Sequence, residues 1–510
     1  MTDIPVSDER SQVPVGEDDG PVSSLTAALA AQLDDARPQA VARVHGGGKL
    51  TARERLTALL DEGTAVSFGT IAAQSAEGEW IAEAGGVDFV GSIEGQTVIA
   101  SSTDYTDHGG GYGAGRIPRL FALAHEHRWP IVFFVDGGGS RARHPRAGLG
   151  HIEINGPIGP FTLFDGISQL SGWVPTIAIV SGPAFAGHAS LAGFSDVVIA
   201  TGGSSIGMGG PPMVEAALGK RLTPNELAGV EMHDVTGGVD FLVADETEAI
   251  AVARRYLAFT RALPAGSGVK PADSAARIGE LVPVEGAYDV RLVIEALADA
   301  GSVLEIRPSF AASLVTTLAR FDGRSVGILA NQPAVLDGAI DGNAATKIAR
   351  FVELCDCYEF PIVSLVDTPG CVSRWPSDPS GKAVHSAGAE FSTEPGITRW
   401  HARPLMAHHH RSVPLFSVQL RRGGGLGPAL MGAGTSGRST PALTLAWPGV
   451  RLGQPDGYAV VYNHNTFDDV VAPSETRERI IRMLSHLATS AMAPAQLRAR
   501  TEKKHPIDTW

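Results

Sequence analysis

Cysteine is scarce in this sequence: Cys355, Cys357 and Cys371 are the only three among 510 residues. Three cysteines are too few for a disulfide framework or for a zinc site made of four cysteines, and they fit a reducing compartment. Basic residues are also outnumbered, since 41 Lys and Arg face 55 Asp and Glu, giving a formal net charge of −14. This balance argues against a nucleic-acid partner, whose phosphates need cationic side chains.

The sequence also lacks a long uninterrupted apolar run. Residues 173–194 carry no formal charge, but prolines and glycines, including Pro175 and Pro183, interrupt them. A buried strand, a turn and a buried helix explain this segment better than a membrane span, which needs about 20 apolar residues. The first twenty residues are acidic and have no apolar stretch, so we expect a loose tail there and no signal peptide. These features predict a cytoplasmic protein without a membrane partner.

An internal repeat organises the chain. Residues 116–139 match residues 347–370 at a constant offset of 231 positions without a gap, and the pair Asp136 and Asp367 is identical. Two further pairs of segments match in the same order: 90–101 with 319–330, and 174–190 with 413–429. Three matches in one order indicate two copies of one domain.

Each copy predicts strands that alternate with helices. The runs IVFFV, TIAIV, IVSLV and LFSVQ are short and mostly apolar, as is typical of strands buried on both faces. Such alternation predicts an α/β fold. The stretch 262–276 is rich in Pro, Gly and Ser and is the best boundary. We therefore predict a flexible tail at 1–24, an N-terminal domain at 25–270 and a C-terminal domain at 275–510.

A short helical segment precedes the first copy, at about residues 24–63. Within it Thr51 and Glu54 have the spacing of a capping box, and an apolar run follows them. We expect a helix to begin at this point.

Glycine is abundant, with 61 residues, and it gathers in loops that follow the predicted strands. Two triplets in these loops are candidate oxyanion sites: Ala186, Gly187 and His188 in the first copy, and Gly424, Gly425 and Leu426 in the second. Backbone amides at the start of a helix, together with its positive dipole end, suit a developing negative oxygen. A tight turn without a ligand is the simpler alternative for any one such loop.

Other candidates have plainer explanations. Asp136 and Asp367 are expected to brace loops by hydrogen bonds rather than to act as bases. His408, His409 and His410 are consecutive, so on a helix they point in different directions, which favours a solvated helix over a metal site. Cys355 and Cys357 are expected in the core. The chain contains no P-loop motif, and the chemistry is expected to depend on the backbone.

Ordered motifs run along residues 25–510. They include HGGGKLTARERLTALLDEGT, DYTDHGGGYG, DGGGSR, GPAFAGHAS, VGILANQP, KIARFVELCD, VDTPG and LRRGGGLGPALMG. On these motifs the sequence resembles the carboxyltransferase (beta) subunits of biotin-dependent acyl-CoA carboxylases of the propionyl-CoA and methylcrotonyl-CoA type. The glycine loop at 424–426 is similar to that of a GLG-loop subgroup.

This resemblance implies a fold and an activity. The fold would be two tandem crotonase/ClpP-like superhelical domains with a short helical N-terminal preface. The activity would be transfer of a carboxyl group from carboxybiotin to the alpha or vinylogous carbon of an acyl-CoA. Paired backbone oxyanion holes would supply the electrostatic stabilisation, and no metal is predicted.

The resemblance also implies partners. Biotin would be carried by a separate biotin carboxylase and biotin carboxyl carrier subunit, since the chain has neither a biotinylation sequence of the AMKM type nor an ATP-grasp-like region. The N-terminal domain would bind acyl-CoA and the C-terminal domain biotin. A homo-hexamer, arranged as a trimer of dimers, is expected, with each active site formed by domains of two subunits.

Further site residues come from the resemblance alone. Gly370 and Cys371 match the positions that hold the biotin carbonyl, and Gly138 and Gly139 are assigned to cofactor binding. Two departures stand out: His188 occupies a position where the family has glycine, and Cys371 one where it has an aromatic residue. An acyl-CoA decarboxylase of the same fold and a non-catalytic scaffold subunit are therefore kept as alternatives.

Overall fold

The computed structural model describes residues 21–74, 78, 80–82, 85–107, 110, 117–137, 163–261, 273–371, 397–433, 440–453, 467–488 and 502–509. The chain divides into two units, Met1–Ala258 and Phe259–Trp510, called the N-half and the C-half below. The domain limits at 270 and 275 stay predictions, because residues 262–272 lie outside the described part. Residues 21–24, assigned above to a tail, already belong to the first helix.

Helices and strands alternate along both halves. The helices are α1 (Pro21–Ala30), α2 (Pro38–Gly46), α3 (Ala52–Leu59), α4 (Ile117–His127), α5 (Leu163–Leu170), α6 (Gly187–Phe194), α7 (Pro211–Leu218), α8 (Pro224–Ala228), α9 (Val230–Thr236), α10 (Glu246–Phe259), α11 (Val290–Leu297), α12 (Gly342–Cys357), α13 (Ile397–His410), α14 (Gly427–Leu430) and α15 (Thr476–Ala488). The strands are β1 (Val66–Phe68), β2 (Ile71–Gln74), β3 (Trp80–Ala82), β4 (Gly86–Ile93), β5 (Gln96–Thr103), β6 (Ile131–Gly137), β7 (Thr176–Phe185), β8 (Val197–Thr201), β9 (Ser205–Gly207), β10 (Phe241–Val243), β11 (Leu304–Ile306), β12 (Leu314–Phe321), β13 (Arg324–Asn331), β14 (Ile362–Thr368), β15 (Leu415–Gly424), β16 (Leu443–Ala446), β17 (Arg451–Gly453) and β18 (Asp469–Val470).

The two halves contain sheets of the same topology. The order is β1-β4-β5-β6-β7-β8-β10 with β9 on β7 in one, and β11-β12-β13-β14-β15-β16-β18 with β17 on β15 in the other. In both sheets the first two pairings are antiparallel, and the pairings that follow are parallel. The α/β class and the two copies predicted from the repeat are confirmed.

The middle strands of the two sheets are the most deeply buried. All seven residues of β6 and all seven of β14 are buried, which explains why β6 is apolar up to Asp136 and why Ser364 is the one polar residue of β14 before Asp367. Side chains such as Phe133 and Ile362 are 0% exposed, and the burial of each stabilises the folded state by about 1.5–3 kcal/mol. Because β6 and β14 are held in the core, the loops that follow them start from fixed positions at the edge of each sheet.

The helical segment before the first sheet begins as predicted. Thr51 caps α3 by accepting a hydrogen bond from the Glu54 amide, and the Glu54 side chain accepts one from the Thr51 amide. The helix buries Arg55, Leu56 and Leu59. It thus brings a cation into the interior of the N-half.

A buried aspartate is the penultimate residue of β6 and is braced by two cations. Asp136 Oδ2 lies 2.6 Å from Lys49 Nζ and 3.1 Å from Arg55 Nη2. Arg55 is 1% exposed, and its Nε donates to Glu246 Oε1 at 2.9 Å while its Nη2 donates to Ser181 Oγ at 3.0 Å. The resulting network ties α3, the ends of β6 and β7, and α10 together.

The C-half braces its matching aspartate with different residues. Asp367 is the penultimate residue of β14, and it accepts hydrogen bonds from Arg421 Nε and Arg422 Nε, each at 2.9 Å. Arg421 Nη1 also donates to the carbonyls of Pro283 and Gly286. Both aspartates therefore brace loops, as predicted.

The three consecutive histidines do not share one environment. His409 and His410 are exposed, in agreement with a solvated helix, but His408 is 1% exposed and contacts the Leu430 carbonyl through Nε2 at 3.0 Å. The prediction was wrong for His408 because this face of α13 packs inward. Cys355 and Cys357 are buried in the core, as predicted.

Membrane-spanning helices and metal clusters are both missing from the described part of the chain. No helix in these residues is long and apolar enough to cross a membrane. No group of three or more His, Cys, Asp or Glu side chains among the same residues is placed to hold a metal ion.

The Arg55 network generates a stability prediction. Arg55→Met leaves the carboxylates of Asp136 and Glu246 buried with fewer partners, so we expect a loss of about 3–5 kcal/mol in the free energy of unfolding. The same change at Arg221, whose side chain is 89% exposed, should cost no more than about 1 kcal/mol. Urea unfolding of both variants checks this, and equal midpoints would contradict it.

Acid sensitivity follows from buried His408. Burial lowers its pKa to about 3, and neighbouring Arg411 adds to the effect. The unfolded chain has the ordinary pKa of about 6.5, so it binds the proton first, and stability is lost as pH falls from about 6.5 toward 3. The slope contributed is at most about 1.4 kcal/mol per pH unit. His408→Gln should flatten the fall in melting temperature over this range, whereas an unchanged slope would refute the assignment.

Candidate active site

Three neighbouring strands of the N-half end at one place. Gly110 lies in the loop after β5, Gly137 ends β6 and Phe185 ends β7. Gly110 has a φ of +70°, and a Cβ there would lie 2.3 Å from the Asp136 carbonyl oxygen. Backbone thus packs directly on backbone, and crevices at the carboxyl ends of parallel strands are where open α/β sheets bind ligands.

The predicted N-half triplet starts a helix. Ala186 is the N-cap of α6 with φ 53° and ψ −118°, a conformation that a residue with a Cβ rarely adopts. Its amide donates to the Gly207 carbonyl of β9 at 3.1 Å, so the Ala186 amide is already used in a hydrogen bond within the fold. Gly187 and His188 are the first two helical residues, and the first helical hydrogen bond, from the Ser190 amide to the Ala186 carbonyl, follows them. These two amides are the donors that the local geometry offers.

His188 places a buried imidazole beside these amides. The residue is 1% exposed, and its ring lies against Gly137, where an added Cβ would be 2.8 Å from Cε1 and 2.9 Å from Nε2. Burial lowers the pKa of His188 to about 4, although Asp136 and hydrogen bonding to the backbone of Phe185 and Gly110 act in the opposite direction. The ring is therefore neutral near pH 7.

The C-half builds a related cradle from two touching loops. Gly424 ends β15, and a Cβ on it would lie 2.1 Å from the Pro369 carbonyl oxygen. Gly370 has a φ of +116°, and a Cβ there would lie 2.9 Å from the Gly424 carbonyl oxygen. Gly425 follows with a φ of +49°. Glycine is required on both sides because the loop backbones are in contact.

Strand pairing sets the correspondence between the two triplets. Gly137 pairs with Ala184 in the N-half, and Thr368 pairs with Gly423 in the C-half. Counting onward, the structural equivalents of Ala186, Gly187 and His188 are Gly425, Leu426 and Gly427. The triplet predicted as Gly424, Gly425 and Leu426 therefore starts one residue before the position that matches the N-half.

The residues assigned to biotin by resemblance have mixed surroundings. The Gly370 amide donates to Thr368 Oγ1 at 3.1 Å, so a ligand at this amide would have to replace that bond. Cys371 is half-buried, and burial raises the pKa of its thiol to about 11, which keeps it protonated. Gly138 and Gly139 lie outside the described residues, and their role stays a prediction.

Sequence reasoning missed the groups that hold the cradles in place. Lys49, Arg55 and Glu246 form the N-half network, and Thr368 orients the loop of Gly370. The HGGGKLTARERL motif contained the signal for the first two, but nothing in the sequence linked it to residue 246. Among the described residues the two strand-ending aspartates are engaged by cations, so the amides are the groups suited to a negative oxygen.

Comparisons with known proteins agree with this geometry. A family model described as "Carboxyl transferase domain" matches residues 43–375. The "Methylmalonyl-CoA carboxyltransferase 12S subunit" of Propionibacterium freudenreichii subsp. shermanii is 30% identical over 519 residues, 91% of this chain and 92% of that protein. The "Methylmalonyl-CoA decarboxylase subunit alpha" of Veillonella parvula is 30% identical over 403 residues, 75% of this chain and 74% of that protein. Further relatives are named propionyl-CoA carboxylase beta chain.

A solved structure has the same fold. Transcarboxylase 12S, crystallised with methylmalonyl-coenzyme A and methylmalonic acid bound, superposes with a TM-score of 0.78 and 28% identity, covering 97% of this chain and 99% of that chain. The predicted pair of crotonase-like domains is confirmed. Because the family match spans more than half of the sequence and the relatives align over most of their length, this chain belongs to the carboxyl transferase family and is a carboxyltransferase enzyme.

Proposed function

We propose that the chain is the carboxyltransferase subunit of a biotin-dependent acyl-CoA carboxylase, with biotin on a separate carrier protein. The observation that carries this proposal is a pair of glycine-lined cradles at the strand ends, formed around Gly110 and Gly137 in the N-half and around Gly370 and Gly424 in the C-half. Two cradles suit a reaction in which negative charge develops on two oxygens, one on each reactant. The cytoplasmic location and the GLG-loop subgroup inferred from the sequence remain part of the proposal.

In the N-half, the amides of Gly187 and His188 would donate hydrogen bonds to the thioester oxygen of acyl-CoA. They belong to the first turn of α6, where the helix dipole adds positive potential. Loss of one such donor typically costs about 2.7–4 kcal/mol of transition-state stabilisation. The strained Ala186, which precedes them, fixes the angle at which they leave β7.

In the C-half, the residues fit a group that is bound by backbone atoms. A Cβ on Gly424 would overlap Pro369, and one on Gly427 would lie 2.6 Å from Thr368 Cγ2, so side chains have no room here. The loops at 368–371 and 424–427 would hold biotin, which supplies the carboxyl group when it is bound. Asp367 and its two arginines keep these loops at a fixed distance.

One relative supports a second candidate function. The 30% identical protein named methylmalonyl-CoA decarboxylase subunit alpha carries out the opposite process by its name. The same cradles would stabilise the same oxygens in either direction, since a catalyst stabilises one transition state for both. Direction therefore depends on the partners rather than on the residues described above.

The activity test uses the full chain with a biotinylated carrier domain and methylmalonyl-CoA. We expect the acyl-CoA to lose its carboxyl group only when the carrier is present. Mass spectrometry of the acyl-CoA and of the carrier measures this. Loss without a carrier would favour a biotin-independent decarboxylase. No reaction with any acyl-CoA, in protein that binds acyl-CoA, would favour the scaffold alternative.

Gly424→Ala supplies the structural arm of this test. Its Cβ has no space against Pro369, so we expect carboxyl transfer to fall more than about 10-fold while acyl-CoA binding by the N-half persists. Gly193→Ala is the control, because no atom lies within 4 Å of its added Cβ. Equal activity in the two variants would argue against the C-half cradle.

We also propose a homo-hexamer, the assembly described for transcarboxylase 12S. Helix α7 has the apolar sequence PPMVEAAL but no buried residue. Met213 and Leu218 are 68% and 69% exposed, and Met208, Met232 and Val235 are also more than half exposed. Exposed apolar side chains of this number favour contact with another chain.

The hexamer has its own test. Met213→Glu combined with Leu218→Glu should lower the mass measured by light scattering, because charge is costly in an apolar interface. Val284→Glu, at a side chain that is 77% exposed in the C-half, serves as the control and should leave the mass unchanged. A wild-type protein that is monomeric at micromolar concentration would overturn the proposal.

A further inference from the structure

The two halves fill one equivalent space with opposite residues. In the N-half the end of β6 is Gly137, and the His188 ring occupies the space beside it. In the C-half the strand-end residue is Thr368, and the helix position is Gly427, whose added Cβ would lie 2.6 Å from Thr368 Cγ2. Each half has room for one side chain in this space and not for two. The large residue is His188 opposite Gly137 in the N-half, and Thr368 opposite Gly427 in the C-half.

The side chain in this space holds a loop in both halves. Thr368 Oγ1 accepts a hydrogen bond from the Gly370 amide at 3.1 Å. In the N-half, an added Cβ on Gly137 would lie 2.8 Å from His188 Cε1 and 2.8 Å from the Gly110 carbonyl oxygen. The His188 ring therefore packs across the end of β6, beside the loop after β5.

The chemistry of the ring fits this task. A neutral imidazole has a single N–H, so it donates to one carbonyl at a time, and burial keeps the ring in that neutral form. The ring also excludes water from the place where α6 begins, since it is 1% exposed.

We propose that His188 is a positioning residue for the N-half oxyanion donors: its ring packs across the end of β6, beside the loop after β5, and keeps the amides of Gly187 and His188 in place. This inference rests on the proposed function, in which those amides donate hydrogen bonds to the thioester oxygen of acyl-CoA. The N-half thus uses a histidine at the helix position, where the C-half uses a threonine at the strand end.

The test compares four proteins: wild type, His188→Ala, Gly137→Thr, and the double variant His188→Gly with Gly137→Thr. We expect His188→Ala to lower kcat for carboxyl transfer about 10- to 100-fold, because small displacements of donors have effects of this size. Affinity for free CoA, which has no acyl oxygen, should stay unchanged. Gly137→Thr should also be impaired, since its side chain meets the ring.

The double variant is the decisive arm. It places the residue pair of the C-half, threonine and glycine, at the two N-half positions, so kcat should recover most of the loss seen in either single variant. A double variant no better than His188→Ala would contradict the inference. His410→Ala, at an exposed histidine of the C-half, is the control for a change of histidine to alanine.

A readout without turnover separates this inference from the proposed function. Hydrogen exchange of the peptide that contains residues 183–194 should speed up at Gly187 and His188 in His188→Ala and return to the wild-type rate in the double variant. If wild type transfers no carboxyl group but exchange behaves in this way, the proposed function fails and the positioning role stands. Unchanged exchange together with an unchanged kcat in His188→Ala would overturn the inference.

Discussion

A buried carboxylate at the end of the middle strand is the constraint on which each half depends. Asp136 and Asp367 are both 0% exposed, and a charge in such a place is tolerated only when cations and hydrogen bonds surround it. Meeting this demand draws distant segments to one point: α3 and α10 in the N-half, and the end of β15 in the C-half. The glycine loops sit directly beside these points, so the braces also fix the cradles.

The two braces solve the same problem with different cations, and the choice changes the neighbourhood. In the C-half, Arg421 comes from the adjacent strand. Its counterpart in the N-half by strand pairing is Gly182, where a Cβ would lie 2.1 Å from Asp136 Oδ1. With no side chain there, Lys49 and Arg55 reach the carboxylate from the helical segment instead. The N-terminal helices are therefore part of the site's support and not an appendage to it.

In the proposed site, backbone amides supply the electrostatic stabilisation. Their partial charge does not titrate, and their direction is set by strand ends and helix starts that are rigidly packed. Side chains near the cradles act on the loops: Thr368 binds the Gly370 amide, and the His188 ring fills the space over Gly137. A family that varies its acyl group can then change neighbouring side chains while the amides stay where they are.

The sequence by itself determined the repeat, the α/β class, the strand cores and the capping box at Thr51, because each depends on local pattern or on self-similarity. β6 and β14 keep the offset of 231 positions found in the sequence. Only the tertiary structure decided which residues meet. Leu50 and Glu246 are 196 positions apart yet hydrogen-bonded, and no local rule joins them. It likewise placed His408 inside and moved the C-half equivalents of the amides by one residue. Such features depend on packing between segments distant in the chain, and burial and register are set by all of those segments together.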